Sequence, residues 1–178
     1  MTCTQCGSEV VSTDETGLCP FCAAEAAGRA SSTWYMKDNG TREEQAPGGA
    51  QREAQAGKGR FDLLPLSVWR AVSDRQGMIA AAVAEAFYVR SAGDVSRILL
   101  ELLPTYEDLE ELARWYEAGA AKYGDRNWER GLVRWQVESS ALRHAAKWAY
   151  GMTDEPHKIA LAWNLAAWLY FNERGWVG

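Results

Sequence analysis

The 178-residue chain has only two histidines, five prolines and four cysteines, and no cysteine follows position 22. It contains no stretch of about 18 uncharged apolar residues and no basic start leading into an apolar run, the patterns of a helical membrane span and a secretory leader. The expected setting is therefore the cytoplasm, with no membrane partner. Positive charge is also short: 19 Lys and Arg face 24 Asp and Glu, a net charge of −5. No overall field exists to hold a polyanion without sequence preference, so basic contacts must be local. Beyond Phe61, alternation of β-branched residues is missing as well, which excludes a sheet-based main domain. Apolar residues are plentiful at 47%, with nine Trp, enough to bury a sizeable core.

The four cysteines form two Cys-x-x-Cys pairs, Cys3/Cys6 and Cys19/Cys22, with twelve residues between them. Each pair sets two thiolates on one tight turn, and that spacing predicts a tetrahedral Zn²⁺ site. Two disulfides would need an oxidising compartment, and a redox pair would need a neighbouring strand and helix. With every position taken by thiolate, the Zn²⁺ is structural. Residues 1–30 are expected to form a zinc ribbon, 31–57 a flexible linker rich in Gly, Gln, Glu and Ala, and 58–178 an all-α domain.

Helical periodicity places elements at Leu66 to Arg75, Met78 to Arg90, Asp94 to Leu103, from Thr105 to Gly124, Gln136 to Tyr150 and His157 to Arg174. Asp94 and Thr105 are expected as N-caps, and Thr153 or Asp154 as the cap of the last helix. That helix is apolar nearly all round and should lie at the centre of a bundle.

His144 and His157 fall on two helices joined by the short loop 151–156, so an antiparallel pair would make the two rings neighbours. Asp154 and Glu155 lie just upstream, and Asn164 shares the face of His157. Glu110 and Glu117 lie on one stripe of the Thr105 helix, with Tyr116, Ala118 and Gly119 flanking Glu117. Converging Glu, Asp, His and Asn on facing helices can build a divalent-metal site, or each can be an ordinary paired helix residue. Lys122, Arg126 and Arg130 surround Asn127 and Trp128, which suits a phosphorylated ligand with a base to stack. The same loop can also be solvated, with Trp128 plugging the bundle. Arg143 and Lys147 beside His144 serve equally as phosphate contacts or surface charges.

Four motifs occur in order: Lys58 to Pro65 (KGRFDLLP), Gly119 to Glu129 (GAAKYGDRNWE), Ser140 to His144 (SALRH) continuing to Lys147, and Thr153 to His157 (TDEPH) continuing to Asn164. Together they resemble the phage and bacterial dATP/dGTP diphosphohydrolase family, related to the MazG-like all-α nucleoside triphosphate pyrophosphohydrolases. The resemblance implies cleavage of a purine deoxynucleoside triphosphate between its α and β phosphates, with Mg²⁺ or Mn²⁺ as cofactor. It implies Glu117, Asp154 and His157 around the metal, with His144 and Asn164 as further ligands or orienters. Lys58, Lys122, Arg126 and Arg143 would hold phosphates, Asn127 and Trp128 would contact the nucleotide, and the enzyme would be a dimer or tetramer. Ser139 stands where related sequences often place Asp. That departure keeps open a binding module without catalysis, in which the zinc ribbon recruits a nucleic acid or protein.

Overall fold

The computed structural model describes Thr2, Thr4, Gly17 and residues 43–53, 58–76 and 78–177. The chain divides into two compact units, Met1–Lys37 and Asp38–Gly178. In the first, the Thr4 N–H donates to the Gly17 carbonyl at 3.0 Å. The zinc expectation at Cys3, Cys6, Cys19 and Cys22 lies outside the described residues.

Among its described residues the second unit has six α-helices: α1 (Leu66–Gln76), α2 (Ile79–Tyr88), α3 (Ala92–Leu102), α4 (Tyr106–Tyr123), α5 (Arg134–Ala149) and α6 (His157–Arg174). This is the expected all-α architecture. Thr105 caps α4 as expected, its Oγ1 accepting from the Asp108 N–H at 3.2 Å, and Gly124, at φ 91°, ends the helix. Asp94 does not cap α3. Ser91 does, accepting from the Asp94 N–H at 3.1 Å, and Asp94 sits in the first turn, where its charge favours the helix dipole. The start of α6 also departs from expectation, because no side chain caps it and Asp154 is turned to the His157 ring instead.

The core is organised on α6, whose Leu161, Leu165 and Trp168 are fully buried. Each such side chain contributes about 1.5–3 kcal/mol of burial. Helix α5 lies antiparallel to α6: His144 meets His157 at one end, and Glu138 Oε1 accepts from Trp168 Nε1 at 2.9 Å nearer the other. Helix α4 runs parallel to α6, with Lys158 paired to Asp108 in the first turns and Tyr116 against Trp163, ring centroids 6.4 Å apart, further along. Only Leu112 of α4 is buried, so this helix lies at the periphery.

One element was not expected. Residues 43–53, inside the segment read as a flexible linker, form an antiparallel hairpin of β1 (Glu43–Gln45) and β2 (Gln51–Glu53) with Gln45 opposite Gln51. Three-residue strands of Glu, Gln and Arg carry little strand preference, so tertiary contact must hold them. Asn127 supplies much of it, accepting from the Gln51 N–H at 3.0 Å and donating from Nδ2 to the Gln51 carbonyl at 2.8 Å. The turn sits so close to the loop before α5 that a Cβ on Gly48 would lie 2.1 Å from the Arg130 carbonyl oxygen. Only glycine fits there.

Candidate functional site

The antiparallel packing of α5 on α6 brings the last turns of α5 against the first turn of α6, and with them the two histidines. Both are buried, at 6% exposure for His144 and 2% for His157, and their Nδ1 atoms lie 3.1 Å apart. His157 Nε2 is 2.8 Å from Asp154 Oδ1. A carboxylate can only accept, so His157 carries its proton on Nε2 and presents a bare Nδ1. His144 must then donate from its own Nδ1. Glu155 completes the group, its Oε1 lying 3.8 Å from His144 Nδ1 and 3.7 Å from His157 Nδ1. Among the described residues, His144, Glu155 and His157 are the group whose ligand atoms, all within 4.8 Å of one another, can hold a metal ion.

Charges surround this group in balance. Lys147 Nζ pairs with Asp154 Oδ2 at 2.6 Å and reaches Glu155 Oε1 at 3.8 Å. Lys58 pairs with Glu53 at 2.8 Å, and Arg143, half-buried, donates to Ser140 Oγ at 3.3 Å. Burial depresses the Arg143 guanidinium, while Glu155 and Glu53 work against that. Burial likewise pushes His144 well below the usual imidazole range, reinforced by Arg143, His157, Lys147 and Lys58, so its ring is neutral at pH 7. Burial alone would raise the Asp154 carboxyl, but hydrogen bonds from Lys147 and His157 outweigh it and hold the group at about 2.

The upstream segment is laid over the same helix. Arg52 donates to Ser140 Oγ at 3.1 Å, and the 3₁₀ turn at Phe61–Leu63 is pinned by Ser139. Ser139, fully buried, accepts from the Phe61 N–H at 3.0 Å and donates to the Gly59 carbonyl at 3.2 Å. Ser139 thus holds a loop here. Both capacities of its hydroxyl are used.

The remaining expected residues are placed differently. Glu117 is exposed on α4 and is not brought into the histidine group. Its apolar neighbours in sequence lie on other faces of the helix, since adjacent residues are about 100° apart. Lys122 is exposed, with Nζ 5.0 Å from the Tyr123 ring centroid, and Arg126 pairs with Glu129 at 2.7 Å. Asn127 has its amide committed to Gln51. Trp128 is packed edge-on against Tyr170, centroids 4.7 Å apart, and against Tyr116 at 5.8 Å. The structure thus gives this loop the bundle-plugging arrangement. Asn164, 3% exposed, donates from Nδ2 to the Ala160 carbonyl at 2.7 Å, and its Oδ1 is a buried acceptor without a partner.

Sequence reasoning left Glu155 out of the metal group and Arg52 out altogether. Glu155 is legible as a second carboxylate beside the His157 turn. Arg52 lies in a segment with no periodic signal. No helix among the described residues is long and apolar enough to cross a membrane.

Compared with known families, residues 90–176 match the one described as dATP/dGTP diphosphohydrolase, N-terminal. The match covers α3 to α6 and takes in both histidines. Neither the curated proteins nor the solved structures contain a match.

Proposed function

Because residues 90–176 match the family described as dATP/dGTP diphosphohydrolase, N-terminal, we propose that this chain hydrolyses purine deoxynucleoside triphosphates, dATP or dGTP, to the monophosphate and pyrophosphate. The observation that supports this reading most is the corner between α5 and α6, where two buried imidazoles and a carboxylate stand beside Lys58, Arg143 and Lys147. A polyphosphate needs such cations. Lys58 and Lys147 are held by Glu53 and Asp154, so each can exchange a carboxylate for a phosphate oxygen at little cost. Arg143, more deeply set, offers a planar fork that a phosphate can accept in two hydrogen bonds.

The resemblance implies Mg²⁺ or Mn²⁺. Two of the three converging donors are imidazole nitrogens, which Mg²⁺ does not favour and Mn²⁺ accepts, so the donor set fits Mn²⁺. Such an ion polarises phosphoryl oxygens and favours the ionised form of a bound water. The chain's own residues orient and enclose: Asp154 fixes the His157 ring, and Ser139 and Arg52 hold the upstream segment against α5.

The same reading retains a four-cysteine zinc ribbon over residues 1–30, a Zn²⁺-dependent handle for a nucleic-acid or protein partner, and a homo-oligomeric cytoplasmic enzyme. One Zn²⁺ per chain, lost in Cys3→Ser, checks the ribbon. A second reading, nucleotide binding without turnover, is favoured by the single carboxylate among the three converging donors and by the commitment of Ser139 to the loop. One assay separates the two. The purified chain with Mn²⁺ should release pyrophosphate from dATP or dGTP, whereas release of single phosphates, or no turnover of any nucleotide, would sink the hydrolase reading.

A further inference from the structure

We propose that His144, His157 and Glu155 form a binding site for one transition-metal ion of the Mn²⁺ or Fe²⁺ kind, with Asp154 as its positioning residue and a polyphosphate completing it. The inference deepens the reading above, resting on it only for the polyphosphate. Three donors around one ion at about 2.1 Å stand about 3.0 Å apart in an octahedral arrangement and about 3.4 Å apart in a tetrahedral one. Here the three separations are 3.1, 3.7 and 3.8 Å, so the partly exposed Glu155 has to close by about 0.3–0.4 Å for the tetrahedral arrangement and about 0.7–0.8 Å for the octahedral one.

Three further observations point the same way. His157 offers Nδ1 inward while Nε2–H is held by the Asp154 carboxylate, the arrangement by which outer carboxylates fix the tautomer of a metal-bound histidine. His144 meets it through Nδ1 as well, so the ion takes the place of one shared proton. That proton moves from His144 Nδ1 to its Nε2, and the ring stays neutral. Finally, Glu53, Asp154 and Glu155 balance Lys58, Arg143 and Lys147. A divalent ion would leave the corner two positive charges in excess, which the anionic oxygens of a polyphosphate offset. Two imidazoles and one carboxylate also leave coordination positions open for those oxygens.

The test measures binding without nucleotide. Full-length protein, given one equivalent of Zn²⁺ for its four thiolates and freed of any excess, is titrated with Mn²⁺ and the free-ion signal is followed by electron paramagnetic resonance. The expected result is one Mn²⁺ per chain, displaced by Mg²⁺ only at about a hundredfold excess or more. His144→Gln should abolish binding. Glu155→Gln, on a partly exposed loop that tolerates substitution, should weaken it about 10–100-fold with an unchanged melting temperature, and Asp154→Asn should weaken it by a similar factor while the protein stays folded by circular dichroism. Absence of bound Mn²⁺, unchanged affinity in Glu155→Gln, or equal competition by Mg²⁺ overturns the site. Intact Mn²⁺ binding without pyrophosphate release would instead overturn the hydrolase reading and leave this one standing.

Discussion

Two regions of the helical unit carry the polar motifs, and they use them in opposite ways. In the 124–131 segment every polar group that can be followed is spent inside the chain: Asn127 on Gln51, Arg126 on Glu129, and Trp128 in a box with Tyr116, Tyr170 and Phe171. At the corner between α5 and α6 the donors face one another instead. Two rings share one proton at 3.1 Å and a carboxylate stands just beyond hydrogen-bond reach of both. A cluster of polar residues is a site when its atoms converge on a common point, and scaffolding when they are consumed in pairs.

The comparison can be broken, or sharpened, at both ends. The largest effect is expected at the corner, where His157→Gln removes a proposed metal ligand and should lower pyrophosphate release by at least about 100-fold, the upper end for losing even a group that only orients a ligand. Steady-state kinetics check this, alongside circular dichroism to establish that the variant folds. In the scaffold the damage should fall on stability. Asn127→Ala removes both hydrogen bonds to Gln51 and leaves backbone groups part-buried, so it should cost about 2 kcal/mol in urea unfolding while pyrophosphate release at low temperature persists.

Alkaline pH tests the aromatic box. Burial, with a smaller contribution from Glu129, raises the Tyr116 phenol from 10.0 to about 12. The folded protein keeps that proton when the unfolded chain has lost it. Tyr116 therefore contributes full stability below pH 10, and loses it as pH rises from 10 to 12, about 3 kcal/mol in all. Denaturant midpoints across that range, compared with Tyr116→Phe, would show it. The smallest effect is expected at Glu117→Ala. An exposed side chain outside both regions should change stability by less than about 0.5 kcal/mol and turnover by no more than about twofold. A dead but folded Glu117→Ala would mean that α4 contributes to the chemistry after all.

Much of this was legible because it follows from period and punctuation. The 3.6 repeat gave the helices, Thr105 and Gly124 bracketed α4, and a six-residue connection was enough to make His144 and His157 neighbours. The errors share a cause. A cap is chosen by hydroxyl position as well as residue type, so Ser91 won over Asp94 three residues later. Glu117 has apolar neighbours in sequence, but on a helix these are not its neighbours in space, and it stands exposed on α4. The hairpin had no local signal because its stability is non-local, supplied by Asn127 and by the close approach of Gly48 to Arg130. Ser139 looked like a missing ligand, and only the packed structure shows the loop that it holds.

The hairpin also sets an order of assembly. Its strands are too short to persist alone, and its partners are far along the chain: Gln51 bonds a residue 76 positions away and Arg52 one 88 away. Contacts that close such long loops form late. The helices must therefore exist before the hairpin has anything to dock on, and Arg52 and Lys58 arrive at the corner last. The same contacts are the first to open. Hydrogen exchange should find the Gln51 amide exchanging well ahead of the α6 amides, so that the protein can lose these cations in brief local openings while its core stays closed.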